Sequence, residues 1–589
     1  MSNIQDSIRN AMAMAQVGRI GEAISSLRSL LTTHGNDATL HHSIGLLQFQ
    51  TGSLEQALFH FDKARHLDDS SSDMHSDYGT ALNVSGRAEE AVDAFRRAVE
   101  LNPRSFPAQL GLSSALIGVS DFDGAVEAGR ATTEIARERP EGWVNLSLAL
   151  LRSGRGGEAI TVLRESLEIM PEQPLLLCNL CSALNVQGGA SPDELFRLHE
   201  TLGRSLHAAY NAGFRSFNND PNPDRTLNVA YLSNDFREGP IAGLIEPILA
   251  NHDRTRFRSF CYSGTAQPDS TSHRLRLLSF LWRDVSRLGE GQIVQQMMAD
   301  RIDILVDLGG HTPGSRTGVL TMRSAPVQVA WLGYPNTLGM KAVGHRIVDS
   351  VVCPDGAEAR FTEKLTRLPG SYLCYAPSAD APPVEAATGN DAVTFGSFAP
   401  IQRLSDPVID AWAAILRGIP GSRLVLKNAS FADDATVRRL RARFDGLGVT
   451  GDRVECRPRD ASYTVHLAAY SGIDIALDTF PGAGAATTFE ALDMGVPVVT
   501  LAGDTFASRS GASILTALGM PEMIANSTGD YIRIATELAN NPARRGSLRT
   551  SLRAQLRNSA LCDGAAFTKN LEAAYREMWK AWASNLLYM

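Results

Sequence analysis

The chain has 589 residues, 44% of them hydrophobic and 20% charged, with a formal net charge of −8. Such a length suggests about three or four domains. The acidic balance excludes a general nucleic-acid binder, which needs a basic surface. No basic and apolar leader opens the sequence, and no apolar run reaches about 18 residues. The expectation is therefore a cytoplasmic protein with no membrane segment, and the seven scattered cysteines fit a reducing compartment.

The first third is periodic. Ala23, Ala57, Ala91, Ala125 and Ala159 recur every 34 residues, and so do Ala11, Gly45, Gly79, Ser113, Ser147 and Cys181. Gly18, Gly52, Gly86, Gly154 and Gly188 mark a turn in each unit, with Ser120 in the one gap. Small residues at two fixed positions per unit predict paired helices crossing at close range, stacked as a solenoid. Asn145 and Asn179 share the same step and are candidate amides for holding an acceptor peptide; solvated helix polarity is the plainer alternative. Cys178 and Cys181 have CxxC spacing, but with no second pair inside a helical repeat they read as packing residues. Residues 188–210 leave the phase and predict a capping helix, and "NNDPNPDR" (218–225) predicts a domain junction.

After residue 225 short apolar runs alternate with longer segments. "LNVAYLS", "FRSFCYS", "IDILVDL" and "VQVAWLG" form one set; "VTFGSF", "RLVLKN", "IDIALD" and "VPVVTL" form a second. Continuous apolar strands alternating with helices predict parallel sheets covered on both faces. The expected organisation is a solenoid over 1–190, a cap and linker over 191–224, and α/β domains over 225–390 and 391–562. A final helix within 563–589 packs back across them, its aromatic stripe being core.

At the end of one late strand stands "DTFPGAGAATTFEALDMGVPVVT" (478–500). Gly482, Ala483, Gly484, Ala485 and Ala486 run directly into Thr487 and Thr488 at a helix start. This is either a tight strand-to-helix turn or a place where an anion approaches bare backbone N–H groups.

The blocks "DILVDLGGHTPGSR", "SAPVQVAWLGYPNTLG" and "HLAAYSGIDIALDTFP", with the 478–500 block, resemble the catalytic region of the O-GlcNAc transferase/SPINDLY family. The likeness covers about residues 225–585 and includes the N-terminal tetratricopeptide repeats. It implies an inverting GT-B glycosyltransferase of two Rossmann-like domains, acting on Ser or Thr of proteins with a nucleotide-sugar co-substrate. On this resemblance Gly484, Thr487 and Thr488 meet the donor phosphate. Glu490 accepts from the ribose hydroxyls, with helix-dipole compensation the alternative. His466 lies near the nucleotide, and His311 and Thr312 line the sugar or acceptor side.

Three departures stand out. Arg403 replaces a family lysine that neutralises the donor diphosphate, keeping charge but changing geometry. Gly239 and Gly243 stand where a histidine is usual, and Ala485 and Ala486 where another is. The chain also resembles bacterial flagellin glycosyltransferases that join such repeats to a transferase region of this kind; that resemblance implies a CMP-activated nonulosonic sugar passed to flagellin, and a wider pocket with fewer phosphate contacts would suit it. A UDP-GlcNAc or GDP-fucose transferase is the alternative, and an inactive peptide-binding scaffold the alternative of another class. Arg403, the Thr487 helix start and Lys427 would stabilise the leaving phosphate. Asp235 and His311 are the candidate bases unless the phosphate itself takes the proton. No metal-ligand cluster is evident, so metal independence is expected.

Overall fold

The structure, a computed structural model, describes residues 2–210, 216–385 and 392–587. Two compact units divide the chain, Met1–Pro171 and Glu172–Met589. The expected boundary at 390–391 lies outside the described residues.

In the first unit ten described helices run from Ser2–Gln16 to Gly156–Ile169. The periodic alanines 23, 57, 91, 125 and 159 are fully buried. The second small series makes room for aromatic rings. A methyl on Gly45 would lie 2.7 Å from the Phe61 ring, and one on Gly79 would lie 3.1 Å from Phe95 at the same offset. Gly18, Gly52, Gly86 and Gly154 turn the chain with φ of +85°, +76°, +81° and +75°. Ser120 takes the same left-handed conformation at +64° in the odd unit, which a non-glycine residue tolerates at a small steric cost.

The second unit opens with helices Pro174–Gln187 and Pro192–Ala209, the latter capped by Ser191. Two parallel sheets follow. The first comprises β1 (Leu227–Ser233), β2 (Phe257–Ser263), β3 (Leu281–Asp284), β4 (Ile304–Asp307), β5 (Val327–Ala330), β6 (His345–Val348) and β7 (Lys364–Arg367), in the order β3-β2-β1-β4-β5-β6-β7. The second comprises β8 (Thr394–Ser397), β9 (Arg423–Lys427), β10 (Val454–Arg457), β11 (Ile475–Leu477), β12 (Val498–Leu501) and β13 (Ile524–Ala525), in the order β10-β9-β8-β11-β12-β13. Every pairing in both is parallel. Each sheet therefore reverses its winding once, at β1/β4 and at β8/β11, and ligands of such sheets sit beyond the carboxyl ends of those strands. β3 and β10, which the apolar runs did not announce, are short and only partly buried.

The last helix, Gly564–Leu587, returns to the first sheet's domain. Glu572 pairs with His252 at 2.8 Å, Phe567 stacks on Trp331, and the buried Trp579 donates to the Asn222 carbonyl at 3.2 Å. The aromatic stripe is core.

Helices Pro174–Gln187 and Pro192–Ala209 are built into the same unit through the loop after β5. His199 donates from Nδ1 to the Leu195 carbonyl at 2.6 Å, so its Nε2 accepts from the Tyr334 hydroxyl at 2.7 Å. That hydroxyl oxygen in turn accepts from Asn185 Nδ2 at 2.8 Å, and Asn185 Oδ1 accepts from Asn336 at 2.8 Å. Burial drives the His199 pKa down to about 3, consistent with this neutral tautomer. Tyr334→Phe would leave a buried donor and a buried acceptor unpaired. The expected loss is about 1–3 kcal/mol of stability, read as a lower denaturant midpoint together with faster amide exchange in helix Pro192–Ala209. An unchanged midpoint would remove the network from the account.

Candidate functional site

Directly after β11 the buried Asp478 carboxylate organises the 478–488 loop. It accepts from the Thr479 and Gly484 N–H groups at 2.9 and 2.8 Å and from the Thr500 hydroxyl at 2.7 Å. Burial raises its pKa to about 6 against these hydrogen bonds. The small residues have separate reasons. A methyl on Gly482 would lie 2.8 Å from Val186 Cα in helix Pro174–Gln187. Gly484 leaves no room for one against Thr487 Oγ1.

Helix Ala486–Asp493 starts here with no side-chain cap, and Ala485, Ala486 and Thr487 are partly exposed. Arg403 approaches from a turn after β8 and donates from Nη1 to the Ala483 carbonyl at 2.9 Å. Its Nε and Nη2 have no acceptor among the described residues. Burial lowers its pKa from the ordinary arginine value, opposed by Asp478. An open helix start, bare N–H groups and a half-buried guanidinium thus meet at the β8/β11 switch. This is chemistry for an anion.

Thr488 does not share in it: its side chain is buried and donates to the Gly484 carbonyl at 2.7 Å. Lys427 is also a correction. It is 2% exposed, ion-paired to Asp460 at 2.5 Å, bonded to the His466 carbonyl, and set over the Phe398 ring at 4.2 Å. Burial lowers its pKa, with Asp460 opposing. Its charge is spent inside the domain.

Glu490 is not free for ribose hydroxyls in this conformation. Its carboxylate already accepts from Tyr463 at 3.1 Å, His466 at 3.1 Å and Tyr470 at 3.3 Å. His466, partly exposed, stacks on Tyr463 with ring planes 13° apart. Together with Phe398 these rings form an aromatic cluster beside the anion site.

The first sheet repeats the arrangement at β4. Asp307 accepts from the Gly310 N–H at 2.6 Å, and burial raises its pKa to about 6. His311 follows, but its ring is 1% exposed and its Nε2 is bonded to the Leu338 carbonyl at 2.8 Å. Burial lowers its pKa to about 4. The ring is enclosed in this conformation, which closes His311 to an acceptor hydroxyl. Thr312 donates to the Gly309 carbonyl at 2.9 Å, closing the same turn. Asp235, in contrast, is exposed two residues beyond β1.

Neither Gly239 nor Gly243 is shown to widen a pocket: a methyl on Gly239 would meet the Arg237 carbonyl at 3.9 Å and one on Gly243 the Tyr375 ring at 3.7 Å, both ordinary contacts, and Gly239 has a φ of +155°. In the solenoid Asn145 ties its helix to the previous repeat through the Leu110 carbonyl at 3.2 Å, so its amide is already engaged. Asn179, in the second unit, is partly exposed and has no hydrogen bond to a described residue. Among the described residues no helix is long and apolar enough to cross a membrane, and no three His, Cys, Asp or Glu side chains cluster as metal ligands.

The model of glycosyl transferase family 41 matches residues 205–376 and 385–571. The chain belongs to that family. Tetratricopeptide-repeat models match 43–107 and 77–140. The chain is 38% identical over 408 residues to the probable UDP-N-acetylglucosamine–peptide N-acetylglucosaminyltransferase SPINDLY of Solanum lycopersicum, covering 68% of this chain and 44% of that protein. It is 30% identical over 370 residues to the probable enzyme SEC of Arabidopsis thaliana, covering 60% of this chain and 37% of that one. The chain thus spans less than half the length of these curated relatives. A solved O-GlcNAc transferase variant from Thermobaculum terrenum superposes with a TM-score of 0.79 at 32% identity, covering 88% of this chain and 99% of that one.

In this family 41 chain sequence reasoning missed Asp478, Asp307, Tyr463, Tyr470 and Tyr334. An aspartate at the end of an apolar strand before glycines was a legible signal for the first two; nothing local announced the tyrosines. The raised carboxyls give a testable sign. The folded state keeps these protons up to about pH 6, whereas the unfolded chain releases them near the ordinary carboxylate value. Their contribution to stability is therefore full at low pH and is lost as pH rises towards 6. Asp478→Asn, which keeps an acceptor for Gly484, is expected to flatten that decline relative to the unaltered protein. Denaturant midpoints between about pH 4 and 6.5 measure it; parallel curves for both proteins would refute it.

Proposed function

We propose that this chain transfers a sugar from a nucleotide-sugar donor to a Ser or Thr hydroxyl of a protein engaged by its repeats. The observation that carries the reading is the uncapped start of helix Ala486–Asp493 with Arg403 beside it. The acceptor oxygen attacks the anomeric carbon as the bond to the phosphate oxygen breaks, and the phosphate leaves with the electron pair. Charge growing on it is met by the Ala486 and Thr487 N–H groups and by Arg403. The reading assigns this task to the protein's own groups and not to a metal. The acceptor proton passes to the leaving phosphate or to Asp235, His311 being enclosed.

For the donor we favour a CMP-activated nonulosonic sugar, with flagellin as acceptor. With Lys427 held by Asp460, Arg403 is the cation at the helix start among the described residues, which suits a donor with one phosphate. UDP-GlcNAc is the second reading, supported by the printed names of the relatives. A peptide-binding scaffold without activity would need no nucleotide.

Thermal shift with CMP, UDP and GDP should single out one nucleotide as stabilising, and stabilisation by none would leave the scaffold. Arg403→Ala should weaken that nucleotide by about ten- to a hundredfold, the ~1.5–3 kcal/mol of hydrogen bonds to a charged group, with the melting temperature of the free protein little changed. Undiminished affinity removes Arg403 from the site.

A further inference from the structure

The two α/β domains meet along a buried polar seam, between the carboxyl end of β6 and helix Ser510–Ala517, which follows β12. Asp349, directly after β6, is fully buried. Its Oδ1 accepts from the Val351 and Val352 N–H groups at 2.8 and 2.9 Å. Its Oδ2 accepts from the Tyr372 N–H at 2.8 Å and, across the seam, from the Ser513 hydroxyl at 2.6 Å. With that proton given to Asp349, Ser513 Oγ accepts from the Ser371 hydroxyl at 2.9 Å. The Tyr372 hydroxyl meets Ser510 Oγ at 3.1 Å, and Arg509 donates from Nε to the Val351 carbonyl at 2.6 Å. Ser371, Tyr372, Ser510 and Ser513 are all buried.

The same helix also touches the anion site. A methyl on Gly511 would lie 2.6 Å from both Asp478 Oδ2 and Thr500 Oγ1, so the helix backbone rests on the carboxylate that places Gly484. Just ahead of the helix, the Ala507 carbonyl accepts from the Ala483 N–H at 2.9 Å. Helix Ser510–Ala517 thus stands between two strand-end carboxylates, Asp349 of the first domain and Asp478 of the second.

Arg403 and the Thr487 helix start belong to the second domain, whereas Asp235 stands beyond β1 in the first. Transfer needs groups on both domains in register, and a misplacement of about 1 Å costs about a hundredfold in rate. Domains of one chain shift against each other by default unless their interface is extensive and apolar. Here a charge-assisted O–H···O⁻ bond of 2.6 Å, enclosed away from water, opposes that shift.

We propose that Asp349 and Ser513 are positioning residues that hold the two domains at one separation, so that the cleft is set by the fold and is not closed by the donor. For the place of the phosphate this rests on the functional reading above, and the two fail separately. Nitroxide labels on encoded non-cysteine residues at Leu277 and Arg438, exposed positions of the first and second domains, report the separation by pulsed electron resonance in the full chain. The unaltered protein should give one narrow distribution that saturating CMP, UDP or GDP leaves in place. Ser513→Ala, alone and with Arg509→Ala, should broaden it at temperatures where the chain stays folded. Should Ser513→Ala fail to fold, Arg509→Ala, at a partly exposed position, cuts the seam by itself. The variants should keep their nucleotide affinity, yet release nucleotide from CMP-N-acetylneuraminate or UDP-GlcNAc, with flagellin present, about ten- to a hundredfold more slowly. A distribution that is broad in the unaltered protein, that moves on nucleotide binding, or that stays narrow in the variants would overturn the proposal. So would an undiminished rate in a broadened variant, or a loss of nucleotide affinity as large as the loss of rate. Turnover of neither donor by the unaltered protein would count against the functional reading, and the distances would still decide the seam.

Discussion

Two buried carboxylates hold the ligand-facing edge of the transferase unit in place. Asp307 ends β4 and Asp478 follows β11, the strands at which the two sheets reverse their winding. Each accepts the N–H of a loop glycine, Gly310 or Gly484, and so turns the chain back over the strand ends. Burial favours the neutral acid and the hydrogen bonds favour the anion; burial prevails, raising both to about pH 6. Gly484, two residues ahead of helix Ala486–Asp493, takes its position from that anchoring.

A second constraint joins the end of the repeat pattern to the catalytic edge. Helix Pro192–Ala209 meets the loop after β5 so closely that Gly203 and Gly339 leave no space for a methyl. The same loop holds Leu332 in the left-handed region at φ +65°, strain that a packed surround must sustain. His199, Tyr334, Asn185 and Asn336 form the polar chain that sustains it. The compact unit therefore begins at Glu172, ahead of the residue at which the repeat pattern ends. In packing terms the last helix pair is part of the transferase.

Much of this was legible in one dimension. The 34-residue step announced the alanines that are fully buried and the turn at Ser120, and the apolar runs announced β1, β2, β4, β5, β8, β9, β11 and β12. The start at Thr487 could be singled out from a run of small residues, and Arg403 only from the family resemblance. Lys427, Thr488, His311, Asn145 and Glu490 could not be sorted in the same way. Each is a polar residue of a type that serves ligands, and each is bonded within the fold to a group far away in the sequence or one turn along a helix.

By itself the sequence determined the periodicities: which residues are small, which segments are apolar, and where strand gives way to helix. These follow from local sterics and from the spacing of apolar side chains, so a linear reading suffices. Tertiary structure alone decided which polar groups remain available. A side chain's hydrogen bonds are settled by neighbours that the fold brings together, as Asp460 is brought to Lys427 and Tyr463 to Glu490. Arg403 keeps open nitrogens for the same reason that Lys427 has none: what each meets was chosen by packing, not by spacing along the chain.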